Sequence, residues 1–451
     1  MATPSTASEY QAWISDPSNA AYRVLCLSMY DSSGHAITLA DRPFVGGING
    51  STPFDDWIID LPTWEVRIDD VVAGGAFSAV NPADETWHGY TFKDFFIDIY
   101  GGDTRWPFSA FVNLFSGVIN DARPMRDVWK FQFRSIAHLL DMPIRAGTLA
   151  GKNVCIGKCF NVSPRLINAS TLQFEAAGNG YNLLTVRNGG VDITGNATQA
   201  ATAGTFTLNL SPDREVTADV TNTTTQTVAS AASWLCNQAA VTWGGFAGAS
   251  VARQNSVIGQ YITGDETYLD VLEVLARSVN CHLIFTANAV KMAYLDTAAT
   301  ITIGMDDTID GSIEHVETVT PASVVSVGYK PCWTVQDIGS LAGIAQPNGG
   351  QYAASEIVTS LDATAGRVNQ PDHRSTALYN YSDAGRELGR LWERRTLQRE
   401  IWRMDIHSIG GLLQIGQRVD FTGHDDLPFN GANIISMTQR NATITTIEVM
   451  T

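Results

Sequence analysis

Basic side chains are scarce in this sequence. Its 451 residues include 29 Lys and Arg against 46 Asp and Glu, which gives a formal net charge of −17. Nucleic-acid affinity comes largely from Lys and Arg that neutralise phosphates, so the composition argues against a protein that grips duplex DNA. An acidic surface repels DNA and keeps a crowded assembly soluble, but moderate acidity is also ordinary among soluble proteins.

Long apolar runs are missing as well. No stretch of about eighteen consecutive apolar residues occurs, and the first ten residues are polar, without the basic and apolar regions of a signal peptide. We therefore expect neither export through a signal peptide nor a membrane anchor. The expected place of synthesis is a cytoplasm, and the expected destination is that cytoplasm or a particle assembled there.

Motifs of catalysis and cofactor binding are also absent from the sequence. There is no G-x-x-x-x-G-K-[ST] loop for phosphates, no G-x-G-x-x-G between a strand and a helix, no H-E-x-x-H and no G-x-S-x-G. We predict that the chain is not an enzyme and uses no cofactor or metal. No catalytic, cofactor-binding or metal-ligating residue is assigned.

Cysteine and histidine offer few candidate ligands. Most of the cysteines lie in apolar stretches, which predicts buried free thiols in a reducing compartment. Cys155 and Cys159 are the only close pair, but no second pair follows them as in a metal knuckle, so a metal there is disfavoured and stays open. A catalytic pair of Cys159 with a distant histidine also stays open. The six cysteines are Cys26, Cys155, Cys159, Cys236, Cys281 and Cys332, and the dispersed histidines are His35, His88, His138, His282, His315, His373, His407 and His424.

Aspartates form four Asp-Asp doublets in the sequence. Neighbouring residues on a strand point to opposite faces, so such doublets do not converge on one glycosidic bond. A calcium site at the third doublet would need more oxygen ligands at fixed spacing. We therefore expect solvated turns at Asp55-Asp56, Asp69-Asp70, Asp306-Asp307 and Asp425-Asp426.

Tryptophans are concentrated in the first third of the chain. Exposed Trp rings often bind sugars or protein partners, whereas buried ones fill the core of a small β domain. We prefer the second interpretation, and the first keeps a carbohydrate-binding function open. The residues concerned are Trp57, Trp64, Trp87, Trp106 and Trp129.

Hydrophobic residues, glycine and β-branched residues are plentiful. The 44% hydrophobic content predicts an ordered globular chain, and 39 glycines favour short strands joined by tight turns. The fold class we predict is mainly β with minor α (α+β), in several small barrel- or sandwich-like domains. The length predicts more than one domain. The predicted divisions are an N-terminal β domain (1–145), an inserted small β domain (146–225), an α+β domain (226–300) and a C-terminal β module with one helix (301–451).

Local patterns predict particular elements. Residues 267–279 combine a helical leucine stripe with Thr267 and Asp270 in capping-box register. A second helix is predicted over 382–399. Residues 101–103, Gly-Gly-Asp, are interpreted as a turn that ends a strand. The polar, Gly- and Ala-rich residues 336–366 interrupt the C-terminal strands.

A series of short motifs, completed by the helix at 267–279 and the closing β module, follows one order along most of the chain. It runs from WPF (106–108) and FSGVI (115–119) to an LLDMPI exit (139–144), VCIGKCFNVSP (154–164), NGGV (188–191), GTFTL (204–208) and VTADV (216–220). This order resembles the tail-tip proteins of long-tailed, non-contractile bacteriophages and of transposable phages. VCIGKCFNVSP is similar to the G-x-x-x-N-V-x-P entry to an inserted β domain in those proteins.

The resemblance implies a structural role. Such proteins resemble the baseplate hub beneath the tail tube, with barrel-like domains arranged, often as a trimer, around the axial channel. The implied partners are copies of the chain, the distal tail protein, the tape measure, fibres and tip proteins. DNA would pass through the channel without specific binding, in a virion assembled in the host bacterial cytoplasm. The alternatives that stay open are a receptor- or carbohydrate-binding tip protein and a tail-associated peptidase or cell-wall hydrolase.

Overall fold

A computed structural model describes residues 7–45, 53–67, 74–81, 86–200, 204–247, 251–286, 289–295, 301–352, 355–359, 371–407, 413–440 and 444–451. Internal contacts divide the chain into two units. Unit 1 comprises Met1–His138, Leu283–Val319 and Arg399–Thr451, and unit 2 comprises Leu139–His282 and Thr320–Gln398. The division into four consecutive domains stays a prediction.

Strands dominate the described residues. The helices are α1 (Ala7–Ser15), α2 (Val228–Gln238), α3 (Val251–Gln254), α4 (Tyr268–Ser278) and α5 (Tyr381–Arg395). The strands of the first half are β1 (Arg23–Tyr30), β2 (Ala36–Ala40), β3 (Phe44–Val45), β4 (Pro53–Phe54), β5 (Ile58–Arg67), β6 (Gly74–Val80), β7 (Phe96–Asp103), β8 (Val112–Met125), β9 (Val128–Ser135), β10 (Val154–Val162), β11 (Arg165–Asn168), β12 (Gln173–Glu175), β13 (Asn182–Asn188), β14 (Val191–Asp192), β15 (Ala197–Ala200), β16 (Thr205–Leu208) and β17 (Val216–Thr221). Those of the second half are β18 (Thr242–Ala247), β19 (Gly259–Ile262), β20 (His282–Thr286), β21 (Ala289–Ala293), β22 (Ile301–Gly304), β23 (Glu314–Val319), β24 (Val325–Tyr329), β25 (Glu356–Thr359), β26 (Asp372–Ser375), β27 (Arg399–His407), β28 (Arg418–Thr422), β29 (Gly431–Gln439) and β30 (Ile444–Met450). The predicted mainly β class with minor α is confirmed, in several separate sheets, and none of the sheets formed by the described strands closes into a barrel.

One continuous sheet forms the framework of unit 1. Its strand order is β2-β1-β7-β8-β9-β6-β5-β29-β30-β27-β23, with β28 beside β29 and β22 beside β28. The first seven strands come from the N-terminal part of the chain and the rest from later segments. The two groups meet where β5 pairs antiparallel with β29, with Glu65 opposite Thr438. We call the N-terminal group the N lobe and the C-terminal group the C lobe.

Each lobe has its own apolar core. On β9 the side chains of Trp129, Phe131 and Phe133 are buried and alternate with more exposed positions, as the two-residue period of a strand requires. They join an N-lobe core rich in aromatic rings, while the C-lobe core is mostly aliphatic and includes Ile434 and Ile447. Two separate cores on one sheet make the lobes distinct packing units.

The predicted turn at residues 101–103 is wrong. Gly101 and Gly102 lie inside β7, paired with Leu25 and Val24 of β1. A Cβ atom added to Gly102 would lie 2.5 Å from the ring of Phe111. Glycine at this position therefore allows an aromatic ring to pack directly on the backbone. A sequence pattern cannot distinguish this use of glycine from a turn.

Unit 2 contains smaller sheets and most of the helical material. Its sheets have the orders β14-β13-β17-β10-β19, β11-β12-β16-β15 and β25-β24-β26. A tight hairpin lies at Asn188-Gly189-Gly190, where β13 pairs with β14 across Gly189 and Gly190, both of which have positive φ.

The helices of unit 2 test the predicted helix ends. In α4 the Thr267 side chain accepts a hydrogen bond from the Asp270 backbone N–H at 3.1 Å, and the Asp270 carboxylate accepts one from the Thr267 N–H at 2.8 Å. The capping box is confirmed. Helix α5 ends at Arg395 rather than 399, because Thr396 caps it and Arg399 already pairs in β27. No helix in the described ranges is both long and apolar enough to cross a membrane.

Candidate functional site

Metal-ligating side chains do not gather in the described part of the chain, where no group of three or more His, Cys, Asp or Glu could hold an ion. The histidines have local partners instead. His35 Nδ1 lies 2.9 Å from a carboxylate oxygen of Asp31 in the turn after β1, and His373 Nδ1 lies 2.8 Å from Ser326 Oγ. These contacts join neighbouring backbone segments and supply no shared reaction centre.

The carboxylate doublets lie apart and serve different turns. Asp307 accepts a hydrogen bond from the Gly304 N–H at 3.0 Å, while Asp425 and Asp426 are exposed. Burial and the neighbouring Asp56 raise the pKa of Asp55. The doublet Asp69-Asp70 lies outside the described residues.

The tryptophans of the first third are packing residues. Trp64, Trp87 and Trp129 are buried in the N-lobe core, and Trp57 is half-buried against it. Trp106 is buried in a separate cluster with α1. The preferred interpretation, burial in a β core, is confirmed for Trp64, Trp87 and Trp129. These rings therefore offer little open face for a sugar.

The two ends of the sheet in unit 1 differ. Beyond β2 the backbone is covered, because the Ala40 N–H donates to Asp55 O at 2.7 Å and the Asp55 N–H donates to Thr38 O at 3.0 Å. At the other end, β23 pairs with β27 and with no further strand among the described residues. Among the described strands the β23 end is therefore an open edge of this sheet, as is the β22 end, where β22 pairs only with β28.

The side chains of β23 are exposed and mostly polar, with the sequence EHVETV. The pairing register shifts between His315 and Glu317, so Val316 forms a bulge. Charges and bulges are the features with which natural edge strands avoid indiscriminate pairing. An edge of this kind suits a specific neighbour rather than any free strand, and we call it the β23 edge.

In unit 2 a long connection, residues 332–352, packs over β10 and the β13–β14 turn. We call it the strap. The Ala342 N–H donates to Gly189 O at 2.8 Å, and Asn161 Nδ2 donates to Thr334 O at 2.6 Å. Leu341 and Tyr352 are buried against Phe160. The polar stretch predicted to interrupt the C-terminal strands thus packs, up to Tyr352, as a cover over β10 and the β13–β14 turn.

A buried ion pair lies beneath the strap. Both terminal nitrogens of Arg187 donate to the carboxylate of Asp219 at 2.6 Å, and the guanidinium lies 5.2 Å from the ring centre of Phe160. Burial lowers the pKa of Arg187, but the hydrogen bonds and charge of Asp219 outweigh it and leave the pKa above its ordinary value. The Arg187 guanidinium therefore stays charged and holds the Asp219 side chain through two hydrogen bonds. No periodic pattern in the sequence connects these two positions.

The six cysteines are free thiols. Five of them are buried, as predicted for the cysteines in apolar stretches, and Cys332 is half-buried. Cys155 and Cys159 face each other with their sulphur atoms 3.6 Å apart. Burial raises the pKa of Cys159 well above its ordinary value. Cys159 Sγ also lies 3.3 Å from Gln260 O. The sequence left open a catalytic pair of Cys159 with a histidine, but no histidine is among the contacts described for Cys159.

Comparison with known proteins gives one kind of match. No family model matches the sequence, and no match is found among curated proteins. Among solved structures, the chain is similar to a tail protein from Neisseria meningitidis MC58, with 11% identity, a TM-score of 0.48 and coverage of 95% of this chain and 96% of the other. It is also similar to the prophage MuSo2 43 kDa tail protein from Shewanella oneidensis (10% identity, TM-score 0.46, coverage 94% and 98%) and to the prophage tail protein gp18 from Listeria monocytogenes EGD-e (8%, 0.45, 95% and 94%). At these identities the likeness concerns the fold alone.

Proposed function

We propose that this chain, whose fold is similar to that of solved tail proteins, is a structural subunit of a bacteriophage tail tip, of the baseplate-hub kind found in long-tailed, non-contractile phages. The observation that carries the proposal is the construction of unit 1, in which two lobes with separate cores share one sheet through β5 and β29. One chain thereby supplies two β lobes joined through a continuous sheet.

Two joined lobes suit a ring around a channel. A closed ring needs self-complementary surfaces more than it needs a catalytic cleft. In a trimer, two lobes from each copy would give six, which would let a threefold tip meet a tube of higher symmetry. Each subunit contact would bury well over ~1,200 Å², the range of stable interfaces.

The charge of the chain fits the same role. A net charge of −17 would make a channel lining that DNA passes without adhering. The tape measure, the distal tail protein, fibres and central tip proteins would be the neighbours of the ring. The proposed role is structural and involves no reaction.

The carbohydrate-binding alternative loses four of the five tryptophans that favoured it. Trp64, Trp87, Trp106 and Trp129 are buried, so their rings cannot stack on a sugar without unfolding part of the core. A hydrolase is likewise without a described catalytic cluster to support it. The structural role is therefore the function we put forward.

Imaging of the particle tests the location. A phage whose copy of this chain carries a small affinity tag is labelled with a tag-binding antibody fragment and examined by electron microscopy. We expect the label at the tail tip, on the tail axis. Label along peripheral fibres would contradict the hub assignment and favour a receptor-binding protein.

The β23 edge gives a sharper test, because we propose that it meets a neighbouring subunit. The double change Glu314→Lys with Glu317→Lys reverses its charge. The change Asp425→Lys with Asp426→Lys alters the net charge equally in an exposed turn of the same unit. We expect the edge variant to fold but to enter tails poorly, while the turn variant enters normally. Equal incorporation of both would remove the β23 edge from the proposed assembly.

A further inference from the structure

The strand β10 bends sharply at Gly157. Before the bend it pairs with β19, with Cys155 opposite Tyr261, and after it pairs with β17, with Cys159 opposite Val220. Gly157 has a φ of +74°, and a Cβ atom there would lie 2.1 Å from Ile258 O. Only glycine fits this backbone without displacement.

The bend brings together two side chains that a straight strand would separate. Residues four apart on an extended strand lie roughly 13 Å from each other. Here Cys155 Sγ and Cys159 Sγ are 3.6 Å apart, and both residues are fully buried in the same apolar core. A disulfide needs the sulphurs only about 1.5 Å closer.

The surroundings favour a bond between the two sulphurs over a bound metal. A structural zinc site takes four ligands, and the described residues place no third metal-ligating side chain here. The nearest polar atoms are backbone carbonyls, Gly157 O at 3.6 Å from Cys155 Sγ and Gln260 O at 3.3 Å from Cys159 Sγ. These accept weak S–H hydrogen bonds and do not hold the sulphurs apart.

We infer that Cys155 and Cys159 form a latent disulfide, which closes across the bend of β10 when a peroxide reaches the folded protein. One thiol is oxidised by hydrogen peroxide to a sulfenic acid, with cleavage of the O–O bond and release of water. The second thiol attacks the sulfenic sulphur, the S–O bond breaks and a second water leaves. The two thiols lose two hydrogen atoms in total, and the peroxide is reduced to two waters. This inference does not depend on the proposed tail function.

The sequence between the two cysteines allows a direct test. Trypsin cuts after Lys158, so the reduced protein gives two separate peptides, residues 153–158 and 159–165, while a disulfide keeps them joined. The folded chain is treated with hydrogen peroxide, free thiols are alkylated in denaturant, and the digest is examined by mass spectrometry. We expect the joined pair to become the main form of these peptides, and to return to separate alkylated peptides after treatment with dithiothreitol.

Other cysteines provide matched controls. Cys155→Ser removes the partner thiol and abolishes the joined peptide, whereas Cys236→Ser replaces an equally buried thiol and leaves its yield unchanged. Half-exposed Cys332 reports that the peroxide dose is sufficient. Recovery of both peptides separately and alkylated, at a dose that oxidises Cys332, would overturn the inference. So would linkage of Cys159 to other cysteines as often as to Cys155. Because the peptide masses of the wild-type protein decide the outcome, the test does not depend on whether a variant folds.

Discussion

Unit 1 and unit 2 are stabilised in different ways. The lobes of unit 1 have continuous apolar cores, and on β9 the residues Trp129, Phe131 and Phe133 contribute one ring after another. Unit 2 also has an apolar core, around Phe174 and Phe206, but it adds a buried ion pair between distant parts of the chain, Arg253 with Glu387 at 3.8 Å. The difference matters because an apolar core tolerates small rearrangements, whereas a buried charge that loses its partner stays unpaired at a large cost in folding free energy.

The largest expected effect tests the apolar side of this comparison. Phe131 is fully buried and contacts Phe77 in a stacked pair with ring centres 4.7 Å apart. Phe131→Ala should lower the free energy of unfolding by about 4 kcal/mol, because it removes buried area and leaves a cavity. Urea denaturation measures the loss. Phe96→Ala, at an exposed position of β7, is the control and should change stability by less than about 0.5 kcal/mol.

The polar side of the comparison depends on Glu387. Its carboxylate pairs with Arg253 and Arg390 and accepts a hydrogen bond from Asn280 Nδ2 at 3.1 Å. Glu387→Ala should cost about 3 kcal/mol, because the buried Arg253 guanidinium loses its counter-ion. Thermal unfolding monitored by circular dichroism gives the value. Arg277→Ala, which removes an exposed pair with Glu273, should cost less than about 1 kcal/mol, and an equal loss would show that burial is not the cause.

Backbone geometry gives an intermediate effect. Gly157 and Gly180 have nearly the same φ, +74° and +79°, but an added Cβ meets Ile258 O at the first position and nothing within 4 Å at the second. Gly180→Ala should cost about 1 kcal/mol for its φ alone. Gly157→Ala should cost more than about 2 kcal/mol and reduce peroxide linkage of Cys155 to Cys159. Equal costs in chemical denaturation would remove steric contact from the explanation.

Helix capping should produce the smallest change. Thr267 caps α4 through its side chain, whereas Asn380, at the corresponding position of α5, makes no capping hydrogen bond from its side chain. Thr267→Ala should lower stability by about 1 kcal/mol, and Asn380→Ala should lower it by less. The comparison uses midpoints of urea unfolding for the two variants. A reversed order would contradict the capping assignment.

Short-range patterns in the sequence predicted short-range structure well. The Thr267–Asp270 register predicted the start of α4, and the period-two alternation of apolar residues in β9 matches its pattern of burial. The Gly-Gly pair at 189–190 is a turn, but the pair at 101–102 is not, because a ring packs on it. A glycine pair has the same letters in both settings, and only the neighbouring strand and ring decide between them.

Features made by distant residues were not predicted. The ordered strap depends on contacts such as Arg214 Nη1 to Leu341 O at 3.0 Å, which join residues 127 positions apart. The joining of the lobes at β5 and β29 also has no local signal, because an edge that accepts another strand has no distinctive composition. Both features are contacts between residues far apart in the sequence, and the periodicity of a single segment carries no information about such contacts.

By itself the sequence determined the mainly β character and the acidic balance, since each follows from composition or from the repeat of a strand, and it favoured burial of the N-terminal tryptophans. Tertiary structure alone decided that two lobes share one sheet, that the β23 edge stays open, and that Cys155 and Cys159 meet across a bend. The physical reason is that these features depend on contacts between residues that are distant in the sequence or separated by a bend. Those contacts are set by the backbone direction at residues such as Gly157 and by which strands pair with each other.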